Sequence, residues 1–190
     1  MLVKRNKRFS NAKLDSFRKI TPEHAKLIDY LHYCLINGFK ENVFICGDVG
    51  VGKTYIGYSL LEETTKIIKF RGSEYYDCKN IYYIKMDDLF EQIKSSFSDK
   101  ELYPENTKNV SVLIIDEVKQ MSEWESSEFF TIIDSRYNDM LPTIIISNLR
   151  EERLKIILGP RIYDRLFGNI KKFCLIAPSG RKDELFNANL

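Results

Sequence analysis

Gly47-Asp48-Val49-Gly50-Val51-Gly52-Lys53-Thr54 meets every fixed position of the phosphate-cradling pattern G-x-x-x-x-G-K-[ST]. Its flanks are the required ones. Asn42 to Cys46 is a short apolar, β-leaning run, and Tyr55 onward continues as a helix with Ile56 and Leu60 one turn apart. Glycines let a backbone wrap with its N–H groups inward, and the helix N-terminus adds partial positive charge facing an anion. In this pattern Lys53 reaches the β- and γ-phosphates of a nucleotide, Thr54 offers its hydroxyl to Mg²⁺, and residues 47–55, Tyr55 included, form the binding loop.

Working outward, the chain before the loop divides at about residue 20. Lys4, Arg5, Lys7, Arg8, Lys13, Arg18 and Lys19 crowd an N-terminal segment, 1–20, against the single acid Asp15. A second basic set runs from Arg150 to Lys182, and 116–139 is acidic between them. A net charge of +2 indicates no partner, and the basic ends suit either solubilising surface or a nucleic-acid face. Thr21-Pro22 then opens a helix with the apolar stripe Leu27, Ile28, Leu31 and Leu35, closed by Asn37-Gly38.

Beyond the loop helix, 66–80 reads as a loop or a short hairpin. Ile81 to Lys85 is strand-like, and Asp87 or Asp88 is expected to cap a helix whose stripe is Leu89, Phe90, Ile93 and Phe97. Polar 98–109 forms a loop before Val110 to Ile115, a β-branched run suited to a strand buried on both faces. Ser122-x-x-Glu125 is a capping box for a helix carrying Phe129, Ile132, Ile133 and Tyr137. Thr143 to Ser147 is the next buried strand. Asn148 is placed to cap a helix to Leu158, Gly159-Pro160 ends it, a short helix with Ile162 and Leu166 follows, and Ile170 to Ala177 is the last strand. Strands alternating with helices predict an α/β fold: a P-loop NTPase with a doubly wound, five-stranded parallel sheet and helices on both faces.

Ligands of open α/β sheets sit at the carboxyl ends of the strands, where Asp116-Glu117 follows Val112 to Ile115. Asp116 is expected to hold Mg²⁺ and Glu117 to deprotonate the water attacking the γ-phosphate. Asn148, ending the next strand, is a candidate to bond the γ-phosphate or that water, in addition to capping its helix. Arg161 and Arg165 lie one turn apart with Asp164 between them; either neutralises charge in phosphoryl transfer, or both belong to a surface ion pair with Asp164. The cysteines Cys34, Cys46, Cys78 and Cys174 show no C-x-x-C, and His24 and His32 lack metal-site spacing. These features, with no signal-peptide core or membrane-length apolar run, predict a reduced, cytoplasmic protein without a membrane partner. Surface or half-buried structural places are expected for the histidines.

The landmarks GDVGVGKT, VLIIDEV, PTIIISNL, LGPRIYDRLFG and APSGR, in this order, resemble AAA+ ATPases of the DnaC/IstB type, helicase loaders and transposition ATPases. The resemblance runs from Arg8-Phe9-Ser10 to about Arg181, and the ATPase domain is expected at 21–182, followed by a tail at 183–190. It implies that Asn148 is a sensor, that Arg165, or else Arg161, is an arginine finger acting on a neighbour's ATP, and that Arg181 reaches nucleotide from the C-terminal side. It further implies ATP and Mg²⁺ as cofactors, slow ATP hydrolysis, ATP-dependent homo-oligomers on single-stranded DNA, and a replicative helicase or a transposase as partner. Lys85, Lys94 and Lys100 become candidate DNA-phosphate contacts. Two departures from such loaders are a short basic lead in place of a helicase-gripping domain, and a minimal or absent C-terminal lid.

Overall fold

The structure is a computed structural model that describes residues 2–18, 20–70, 73–77, 80–98 and 104–177. Residues 178–182, the 183–190 tail, where a minimal or absent lid is expected, Lys100 and Arg181 lie outside the described residues.

Five parallel strands form the main sheet: β2 (Asn42–Gly47), β5 (Ile81–Lys85), β6 (Val112–Asp116), β7 (Thr143–Ser147) and β8 (Ile170–Leu175), in the order β5-β6-β7-β2-β8. The β-branched runs occupy the middle. Every residue of β6 and β7 is buried, so both faces of the sheet are covered by helices, as the unbroken apolar pattern predicts. The covering helices are α1 (Pro22–Asn37), α2 (Lys53–Thr64), α3 (Met86–Ser95), α5 (Glu123–Asn138) and α6 (Glu151–Phe167), with a single turn α4 (Asn106–Asn109) inside the expected 98–109 loop. Register sets Cys46 against Ser147 on one side and against Cys174 on the other, which brings the ends of β7, β2 and β8 level. Both thiols are free, and burial pushes Cys46 up to about 12. No helix among the described residues is long and apolar enough to cross a membrane.

The stretch 66–80 contains a hairpin, β3 (Lys66–Phe70) and β4 (Ser73–Asp77). An unforeseen strand, β1 (Leu2–Lys4), joins it as an antiparallel sheet of order β1-β4-β3. Arg5 locks this addition to α2: its Nε donates to Glu62 Oε1 at 2.9 Å, one terminal nitrogen to Glu62 Oε2 and the other to Glu74 Oε2, both at 2.6 Å. The basic lead is therefore packed rather than loose, with Ala12, Leu14 and Phe17 buried.

Several boundaries differ from the sequence reading. Helix α3 begins at Met86 with Lys85 in the N-cap position, so neither Asp87 nor Asp88 caps it. It ends at Ser95, which leaves Phe97 outside and 70% exposed, edge-on to Trp124 instead of in the core. The α5 stripe buries Phe129, Ile132 and Ile133 but not Tyr137, and the capping box at Ser122 and Glu125 is formed as expected. Asn148 caps no helix, since Arg150 holds the N-cap position of α6; the expected break at Gly159-Pro160 is present, where the backbone leaves helical geometry before a second helical stretch runs to Phe167. At Gly159 φ is 69°, so the backbone swings outward and Pro160 restarts the helix without needing an N–H bond. His24 is fully buried, with Nδ1 2.6 Å from Thr21 Oγ1 and the ring stacked on Phe17.

Candidate nucleotide site

The phosphate loop leaves the end of β2 and returns as the first turn of α2. At Gly52 φ is 95°, and a Cβ there would lie 2.4 Å from the Phe17 ring, so the residue must lack a side chain for both reasons. Lys53 is buried and donates from Nζ to the carbonyls of Gly47 at 2.8 Å and Asp48 at 2.7 Å. An ammonium so placed holds the loop closed and can transfer its bonds to a phosphate oxygen of higher charge.

Asp116 ends β6 at 2% exposure and accepts from three donors. Oδ2 accepts from the Thr54 hydroxyl at 2.8 Å and from the Tyr83 hydroxyl at 2.7 Å, while Oδ1 accepts from the Glu117 N–H at 2.7 Å. One carboxylate and one hydroxyl meeting at a cavity wall form a hard oxygen donor set. Among the described residues no group of three His, Cys, Asp or Glu could hold a metal ion. That combination suits a cation taking one or two protein ligands and the remainder from phosphate and water, as Mg²⁺ does.

Glu117 stands at φ 60°, a left-handed backbone that a non-glycine residue adopts only where its surroundings enforce it. The enforcement comes from β7: Val118 N donates to Ile146 O at 3.0 Å, and Ser147 Oγ donates to Val118 O at 2.6 Å. The turn leaves the Glu117 side chain half-exposed, paired with Lys85 Nζ at 2.8 Å. The carboxylate in turn raises the Lys85 ammonium above its ordinary value, chiefly through that hydrogen bond. Lys85, expected at DNA phosphates, is thus engaged with Glu117. Lys94 lies 3.9 Å from Glu125 Oε1 and over the Trp124 ring.

Together these groups line one side of a cavity of about 820 Å³, within the range of small-molecule sites. Val49 to Tyr55, Asp116, Glu117 and Asn148 all border it, and Asn148 is exposed at the end of β7. The other side was not legible in the sequence. It is built by Asn6, Arg8, Phe9, Phe17 and Arg18 of the basic lead. Phe9 stacks on Tyr58 of α2 with centroids 4.5 Å apart, and Tyr55 OH accepts from Lys13 N at 3.1 Å. The only local hint was aromatic residues among basic ones, which does not distinguish a cavity wall from an exposed segment.

Arg161 and Arg165 do not border the cavity. Arg165 pairs through Nε with Asp134 of α5, not with Asp164, and lies over the Phe130 ring at 4.9 Å; Arg161 covers the same ring at 4.6 Å. Asn42, the first residue of β2, donates to Leu166 O at 2.8 Å, which puts this end of α6 beside the start of the strand. The loop begins at the strand's other end, about 16 Å away.

The profile of the IstB-like ATP binding protein family matches residues 7–167. Replicative helicase loader DnaC of Buchnera aphidicola subsp. Baizongia pistaciae is 34% identical over 95 residues, which cover 46% of this chain and 39% of that protein. DnaC of Escherichia coli K12 is 27% identical over 136 residues, 68% of this chain and 51% of the relative. The chain thus spans about half the length, or less, of these curated relatives. Among solved structures, a DnaC helicase loader superposes with TM-score 0.71 at 19% identity, covering 90% of this chain and 99% of that one. A replication initiator DnaA bound to AMPPCP and single-stranded DNA gives 0.70 at 22% identity over 97% and 56%. At these identities the structures establish the shared AAA+ fold.

Proposed function

The chain belongs to the IstB-like ATP binding protein family, and on that premise we propose that it is a Mg²⁺-dependent ATPase of helicase-loader type. The observation that carries the reading is the meeting of Lys53, Thr54, Asp116 and Glu117 on one wall of a nucleotide-sized cavity. Lys53 moves from the loop carbonyls to the β- and γ-phosphates. Thr54 and Asp116 hold the cation, which when bound neutralises charge on the phosphates. Glu117, released from Lys85, takes the proton of the attacking water, and Asn148 orients that water or the γ-phosphate. The aromatic and polar groups of the basic lead face the base and ribose. Arg165, or Arg161 in its place, completes a neighbouring subunit's site, and Arg181 approaches nucleotide from the C-terminal side.

ATP-driven assembly on single-stranded DNA and delivery of a replicative helicase follow as the biological role. The support is that curated relatives of this chain are replicative helicase loaders. Lys94 lies over the half-buried Trp124, which also packs against exposed Phe97, so one cation and two aromatic rings are available there to backbone and bases. Pull-down from host extract with ATP should recover a replicative helicase; recovery of a transposase instead would sink the loader reading in favour of transposition.

Glu117→Gln keeps size and hydrogen bonding but removes the base. Hydrolysis should fall by about 10²–10⁴-fold while ATP affinity is retained. Turnover at the parent rate would show that Glu117 is not the base. Full partner loading by this variant would instead identify a nucleotide-gated binding module whose hydrolysis is incidental.

A further inference from the structure

Tyr83 lies two residues before Lys85 on β5, and no phosphate-binding motif includes it. Its ring is buried, yet its hydroxyl ends 2.7 Å from Asp116 Oδ2, the oxygen that Thr54 also bonds. We propose that Tyr83 is a positioning residue for the Mg²⁺-binding carboxylate, fixing the plane of Asp116 so that it and Thr54 present their oxygens to the cation together. The inference rests on the nucleotide reading above.

When Thr54 turns its oxygen toward a cation, one hydroxyl must serve two partners at once. The Thr54 donation to Oδ2 is then constrained by the cation, and the Glu117 N–H on Oδ1 alone would leave the carboxylate free to swing about its last torsion. Tyr83 supplies the second fixed donor, one on each oxygen. The bond runs from the Tyr83 hydroxyl to the carboxylate oxygen, so the phenol is the donor and Asp116 the acceptor. A hydroxyl bond to an ionised carboxylate is also about twice as strong as a neutral one.

The rest of the chain makes room for this ring. Gly57 sits in the middle of α2, where glycine is less favourable than alanine. A Cβ there would lie 2.8 Å from Tyr83 Cε2 and 3.0 Å from Cδ2. The helix therefore gives up local stability where the phenol must pass to reach Asp116. Tyr58, one residue on, packs on Tyr83 at 4.5 Å and on Phe9 at 4.5 Å, so the stack runs from the cavity's N-terminal wall to the metal carboxylate.

The test uses the full chain and a fluorescent non-hydrolysable ATP analogue, titrated in EDTA and across a range of Mg²⁺. Tyr83→Phe keeps the ring and removes the donor. Affinity in EDTA should stay within about twofold, while the Mg²⁺ concentration for half-maximal tightening rises about tenfold, the usual cost of losing a partner behind a metal ligand. Gly57→Ala should reproduce the shift in the parent chain and add little to Tyr83→Phe. An unchanged Mg²⁺ midpoint in Tyr83→Phe overturns the proposal, and so does an equal loss of affinity in EDTA, which would mark a packing role. If the parent chain itself shows no Mg²⁺-dependent tightening, the proposed function fails, and this inference with it.

Discussion

Arg165→Ala is expected to remove ATP hydrolysis from the assembled protein while leaving nucleotide binding intact, and mixing it with Lys53→Ala chains should restore part of the activity. Arg165 sits beside the start of β2 and the phosphate loop at its end, so a whole strand length separates the guanidinium from its own loop. Any action on a γ-phosphate must be on a neighbour's. Such an arginine is worth about 10³–10⁵ in kcat. Its present partner, Asp134, is half-exposed, and ion pairs of that kind contribute about 1 kcal/mol or less, so exchange for a phosphate is open. In a mixed assembly, an Arg165→Ala chain would keep a working loop and a Lys53→Ala chain a working finger. Recovery on mixing reads out trans action directly. Arg161→Ala should retain most of the activity, since Arg165 carries the stronger motif match. A reversed pattern would give the finger to Arg161, and full activity in both variants would exclude a finger in this helix.

What was legible in the sequence follows the range of the forces involved. The loop, its strand and its helix are contiguous, and the chemistry of Lys53 and Thr54 depends on neighbours a few residues away. Asp116 and Glu117 were readable for the same reason, because an unbroken β-branched run ending in acids marks both a central strand and its ligand end. Tyr83 and Lys85 were not readable as site residues. They reach Asp116 and Glu117 only through the pairing of β5 with β6, where Lys85 falls opposite Asp116. The N-terminal wall was hidden more completely: Arg5 finds Glu62 at a separation of 57 residues, and no local period announces it. Phe97 fitted a helical stripe, but Ser96 already closes α3, whose C-cap N–H bonds back to Gln92 and Ile93 carbonyls. Asn148 had the residue type of a cap, but β7 ends in a turn in which Ser147, not Asn148, accepts the Leu149 N–H at 3.0 Å. Local propensity was outweighed there by the tie between Ser147 and Val118.

Arg136→Met should be the most destabilising single change in the core, losing on the order of 4 kcal/mol in denaturant unfolding. The Arg136 side chain is 1% exposed. Its Nε donates to Thr143 Oγ1 at 2.9 Å, one terminal nitrogen to Thr107 O at 3.1 Å and Val110 O at 2.9 Å, and the other to Pro142 O at 2.6 Å. Burial holds its pKa down to about 10, so the guanidinium remains charged at neutral pH but at a desolvation cost. Replacing a buried charge by an apolar chain is often harmless when its partners are replaced too. Here four of the partners, a long contact to Lys108 O at 3.5 Å included, are backbone carbonyls, which no substitution removes, and each left buried without a donor costs about 1–3 kcal/mol. Methionine fills most of the volume and supplies no donor, so the loss measures the unsatisfied acceptors rather than a cavity. Arg136→Lys, with a compact three-donor head, should fall between. A Met variant within about 1 kcal/mol of the parent would show that water reaches those carbonyls. The consequence extends to the site, because these bonds join the approach to β6 at Thr107 and Val110 to the start of β7 at Thr143. Those strands end at Asp116 and Ser147. Loosening their shared base should therefore also weaken Mg²⁺-dependent nucleotide binding, at a distance of a full strand from any atom the nucleotide touches.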